Sequence, residues 1–100
     1  MVSKLVRDRI PEIIAADGRQ AAWHTAEDGE IIPLLQEKLR EESREFFETE
    51  EIDELADILE VVYALVDEEG FTRQDLMDAY ERKHAHRGGF AKHIVLDKAE

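Results

Sequence analysis

Two acid pairs, Glu42/Glu45 and Glu54/Asp57, each spaced three residues apart, are the side chains of this sequence best placed to do chemistry. With Glu42 set at zero on a helix of about 100° per residue, Ile31, Leu35, Phe46, Leu39 and Ile32 fall at roughly −20°, 20°, 40°, 60° and 80°. Glu45 falls near −60°. With Glu54 at zero, Val61, Leu65, Ile58, Val62 and Leu55 fall at roughly −20°, 20°, 40°, 80° and 100°, and Asp57 near −60°. Each segment therefore sets one carboxylate inside an apolar seam and another at its rim. An unpaired buried charge costs several kcal/mol, and converging acids cannot neutralise one another. A hard divalent cation can: Mg²⁺ takes oxygen ligands, with Mn²⁺ a possible substitute. Acids at this spacing also fit a solvated face in so Glu-rich a chain. Both readings stand at this point, and the placement within the apolar stripe favours the metal.

The elements that must position these acids can be read from periodicity and punctuation. A short helix is expected to start near Arg9 or Ile10, with Pro11 in its first turn and Gly18 just past its end. A second helix should run from about Glu30 to Glu48 with Pro33 in its first turn, after an Asp28-Gly29 turn. A third should run from about Glu50 to Glu69, with Thr49 as N-cap and Gly70 beyond it. The short connection makes the second and third helices an antiparallel hairpin, so the two acid pairs face one another. A fourth helix is expected from about Arg73 to His86, with Thr72 and Asp75 forming a capping box. Leu76, Met77, Ala79 and Tyr80 give it an apolar face toward the hairpin. Residues 19–25 and 91–97 read as extended and could pair as a minor two-stranded ribbon. The expected fold is a small, mostly α bundle of about four helices.

Composition narrows the function classes. One hundred residues form a single domain, 1–100, small enough that a partner subunit is expected to complete the site. Twenty-five acids against 13 Lys and Arg give a formal charge of −12, which argues against nucleic-acid polymers and anionic membranes as partners. With no cysteine, disulfides and thiolate–metal chemistry are excluded. No apolar run is long enough to cross a bilayer and no secretory leader is apparent, so a soluble, cytoplasmic protein is expected.

Cations are the minority, which makes their clusters informative. Lys4, Arg7 and Arg9 precede the first helix, where they either bridge surplus acids or face a phosphate. Lys38 lies one turn before Glu42 on the same side. Lys83, His84, His86 and Arg87 make the last turn of the fourth helix basic, which the helix dipole favours in any case. Glu81-x-x-His84 has the spacing of a di-iron carboxylate motif, but such a site needs two of these motifs and further acids. Phosphate-binding glycine loops, serine elbows and zinc His-Glu-x-x-His motifs are absent.

Glu41-Glu42-x-x-Glu45 followed by Glu54-x-x-Asp57 resembles the metal-binding signature of the all-α nucleoside triphosphate pyrophosphohydrolases, the MazG-like superfamily. The stretches Lys4-Leu5-Val6-Arg7-Asp8-Arg9-Ile10-Pro11-Glu12-Ile13-Ile14 and Lys83-x-x-x-Arg87-Gly88-Gly89-Phe90 are similar to its compact phosphoribosyl-ATP pyrophosphohydrolase-like subgroup. The gap of eight residues between Glu45 and Glu54 is shorter than is usual in that superfamily. The resemblance implies cleavage between the α- and β-phosphates of a nucleotide, giving a nucleoside monophosphate and pyrophosphate. It implies Glu42, Glu45, Glu54 and Asp57 as Mg²⁺ ligands and Glu41 as a water-orienting residue. Lys38, Arg7, Lys83 and Arg87 are the phosphate-binding candidates, and a homodimer or homotetramer is expected. The alternative is a non-catalytic acidic helical interaction protein or a nucleotide-binding regulator.

Overall fold

In the computed structural model, which describes residues 3–100, the chain forms four helices in order: α1 (Ile10–Ala16), α2 (Asp28–Thr49), α3 (Ile52–Glu68) and α4 (Arg73–Arg87). Each boundary has a local cause. Pro11 sits in the first turn of α1, where a missing N–H costs nothing. Gly18, at φ +80°, closes α1 as the left-handed residue of a Schellman motif. Its N–H bonds the Ala15 carbonyl and that of Arg19 the Ile14 carbonyl. Gly70, at φ +84°, does the same for α3 through Gly70 N–H to Asp67 and Phe71 N–H to Val66. α4 opens on the expected capping box, Asp75 N–H to Thr72 Oγ1 at 3.0 Å and Thr72 N–H to Asp75 Oδ2 at 2.9 Å.

Four expectations change. α2 starts at Asp28, so Asp28-Gly29 is its first turn; the reciprocal capping of Glu27 and Glu30 carries the helix through it. Pro33 then lies inside α2, past its first turn. Thr49 ends α2 instead of capping α3, although its hydroxyl does accept the Glu51 N–H at 3.3 Å. The ribbon does not form: residues 19–27 and 93–100 contain no strand, and Ile94, Val95 and Leu96 stand about four-fifths exposed. A β-branched run without a neighbouring edge has nothing to receive its backbone hydrogen bonds.

The hairpin of α2 and α3 is the packed heart of the chain, and α4 touches α3 alone. Leu35, Val61 and Val66 are the buried hydrophobic side chains among the described residues. Leu76 and Ala79 of α4 are half-buried, whereas Met77 and Tyr80 are exposed. Trp23 and Phe47 are exposed as well. The accessible surface is 9047 Å², against about 5,800 Å² for a compact chain of this mass. The radius of gyration is 17.7 Å, against about 13 Å for a compact domain of this length. No helix of the described residues is long and apolar enough to cross a membrane.

The α2–α3 connection rests on Glu50, whose φ of +56° is left-handed and lacks the glycine that suits it. Comparing two substitutions that both delete the side chain isolates the backbone. Glu50→Gly is expected to be more stable than Glu50→Ala by about 1 kcal/mol, measured as the shift in urea midpoint at constant slope.

Candidate metal centre

The hairpin brings its two acid pairs to one place. One carboxylate oxygen from each of Glu42, Glu45, Glu54 and Asp57 lies within 4.8 Å of the others, close enough to share an ion. The order of burial follows the seam geometry in α2 and departs from it in α3. Glu42, from the middle of the α2 stripe, is 6% exposed, and Glu45 at its rim is half-buried. Glu54, placed within the α3 seam by its angular position, is half-buried like Asp57 at the rim.

Glu42 is the demanding member. Its Oε1 lies 3.4 Å from Lys38 Nζ, but Oε2 is buried and has no hydrogen-bond partner. Burial pushes the Glu42 carboxyl above its ordinary range, and Glu45 beside it adds to the shift. Desolvation and the neighbouring Asp57 raise Glu54 as well. A native structure satisfies nearly all its buried polar atoms, so an orphaned carboxylate oxygen on a residue gathered with three more carboxylates calls for a cation. Four carboxylate ligands with no nitrogen or sulfur among them suit a hard divalent ion. The donor set fits.

Around this core the sequence-derived candidates divide. Glu41 lies outside the four: Lys4 Nζ approaches it at 3.0 Å and Lys38 Nζ at 3.4 Å. The Lys4 hydrogen bond holds the Glu41 carboxyl below its usual range, which makes it a poor proton acceptor. Lys38 is where the sequence places it, its side chain 17% exposed between Glu41 and Glu42. Arg7 reaches the cluster directly, donating from Nη2 to Asp57 Oδ1 at 2.7 Å. Arg9 pairs locally with Glu12. Of the two readings of the N-terminal cations, bridging of acids is thus the one the coordinates display. Lys83 and Arg87 of α4 form no ion pair with the cluster and stand exposed.

Periodicity did not reveal a cleft of about 600 Å³ beside the cluster. Leu5, Ile10 and Ile13 form one wall, Ile31, Leu35 and Val61 the other, and Glu42, Asp57, Lys38 and Arg7 line it too. The isoleucines of α1 are the signal that could have found it: a seven-residue helix does not present so apolar a surface without something to set it against.

Replacing Glu42 with a neutral isostere tests the cluster. Between the ordinary carboxylate range and its raised value, the folded protein binds a proton that the unfolded chain has released. Wild-type stability without divalent metal should therefore fall as pH rises through that window. Glu42→Gln should reduce this slope, leaving the part due to Glu54, and, near neutrality and without metal, raise the melting temperature by a few degrees, equivalent to about 1 kcal/mol. Mg²⁺ should stabilise the wild type and leave Glu42→Gln unmoved, as read by thermal unfolding with and without EDTA. Comparison of the chain with family models, curated proteins and solved structures finds no match, so the geometry of the cluster carries the functional reading.

Proposed function

We propose that this protein is a Mg²⁺-dependent nucleotide pyrophosphohydrolase that cleaves between the α- and β-phosphates and releases a nucleoside monophosphate and pyrophosphate. The observation that carries the proposal is the buried, unpartnered Oε2 of Glu42 inside four carboxylates spanning 4.8 Å. Acids so gathered make a poor anion site alone and a good one with a divalent ion, which accounts for polyphosphate chemistry on a chain of charge −12. The MazG-like resemblance of the acid signature and its flanks points the same way.

Magnesium held by Glu42, Glu45, Glu54 and Asp57 would neutralise the polyphosphate and acidify a bound water. Hydrolysis joins a water oxygen to the α-phosphorus and breaks its bond to the bridging oxygen, which leaves with pyrophosphate. Lys38 and Arg7 line the cleft together with Glu42 and Asp57, and would set two cations beside a bound polyphosphate. The apolar walls of the 600 Å³ cleft have the size and character of a small-molecule pocket, suited to a nucleoside. Removal of unwanted nucleotides in the cytoplasm fits this activity. The alternative of an acidic interaction protein or regulator, its carboxylates a solvated face, suits the three half-buried acids and leaves Glu42 unexplained.

Pyrophosphate release from a panel of canonical and modified nucleoside triphosphates, with phosphoribosyl-ATP included, tests the proposal. Release should require Mg²⁺ or Mn²⁺, stop in EDTA, and fall on the order of 100-fold in a folded Glu45→Gln variant. Absence of release from every substrate with every metal would sink it.

A further inference from the structure

Residues 3–17 stand apart from the packed hairpin. α1 packs against no other helix, and residues 19–27, which join it to α2, form no helix or strand. Among the described residues, two polar contacts fasten this segment to the hairpin: Lys4 Nζ to Glu41 at 3.0 Å and Arg7 Nη2 to Asp57 Oδ1 at 2.7 Å. The cleft of about 600 Å³ lies between the two, and Ile13 on its wall is 57% exposed. A wall so open is held in place more by its fastenings than by its packing.

Both fastenings end on the acids. Asp57 is one of the four clustered carboxylates, and Glu41 adjoins Glu42 in α2. The Arg7 side chain is 54% exposed and that of Asp57 36%, a setting in which an ion pair holds weakly and yields to a stronger competitor. A divalent ion among the four carboxylates is such a competitor, since it carries twice the charge and every acid of the cluster attracts it. A guanidinium kept on Asp57 would then be a like charge beside that ion. Lys38 is fixed within α2 and cannot withdraw. Arg7 can, because the segment that carries it joins α2 through a stretch without regular structure.

We infer that the Arg7–Asp57 pair is a latch that a divalent ion opens. Arg7 and the ion compete for Asp57, so binding of the ion frees Arg7 from α3 and leaves the segment on the single, exposed Lys4–Glu41 pair. A ligand of the cleft is thereby admitted after the ion and not before it. The freed guanidinium is available to a phosphate, the role that the pyrophosphohydrolase reading gives it. The latch rests on the metal reading of the cluster and not on that reaction.

Two readouts, neither of them catalytic, test it. In calorimetric titration with Mn²⁺, Arg7→Ala should bind about five-fold more tightly than the wild type, because the pair no longer reduces the share of protein ready for the ion. Arg9→Ala removes the same charge from the same segment, but its partner Glu12 lies outside the cluster, so it should bind close to the wild type. The second readout is trypsin, which must take the Arg7 guanidinium into its own acidic pocket to cut after it. Mg²⁺ should speed that cut, followed by peptide mass, about five-fold in the wild type and leave it unchanged in Glu45→Gln. Equal affinity in the wild type and Arg7→Ala, or an equal gain in Arg9→Ala, overturns the latch. Weaker binding by Arg7→Ala also overturns it and makes Arg7 a support for the ligating carboxylate. So does a cut after Arg7 indifferent to Mg²⁺ in a wild type that binds the ion. A wild type that binds no divalent ion removes the metal reading and the latch together. Ion binding with both readouts as expected, but no pyrophosphate released, removes the pyrophosphohydrolase alone.

Discussion

Mutual repulsion among four carboxylates, one of them buried, is the constraint around which the hairpin is built. Like charges within 4.8 Å push apart the two helices that Leu35 and Val61 draw together. The chain meets this with three cations from two places: Lys38 from within α2, and Lys4 and Arg7 from the N-terminal arm. These are partial answers, because Lys38 serves Glu41 and Glu42 together and one Glu42 oxygen has no partner.

The alignment of the acid pairs depends on a connection of two residues, Glu50 and Glu51, between α2 and α3. So short a link fixes how far each helix can slide or turn relative to the other. One added residue would turn α3 by about 100° and carry Glu54 and Asp57 away from Glu42. The left-handed Glu50 is the cost of this economy of length.

The hairpin and its cluster were legible in the sequence because both are written in the helical period. Glu42 and Glu54 stand among Leu and Ile at helical spacing, and the facing of the pairs follows from antiparallel packing alone. The Asp28 start was not legible, since Asp28-Gly29 reads as a turn unless Glu27 and Glu30 are weighed as reciprocal caps. The missing ribbon shows the opposite limit: strand propensity in 91–97 specifies a preference for pairing without supplying a partner. The arm is the clearest case. Lys4 meets Glu41 across 37 positions and Arg7 meets Asp57 across 50, and no local pattern encodes contacts of that range.

The Arg7–Asp57 contact at 2.7 Å would make ion uptake an exchange instead of an addition. An ion that took that Asp57 oxygen would displace the guanidinium, so its affinity would be a difference between two occupancies. The displaced arm is the wall that carries Leu5 and closes the cleft, and it is held to the hairpin by one further ion pair, Lys4 to Glu41. Competition at a single carboxylate oxygen thus couples what sits among the acids to the shape of the space beside them.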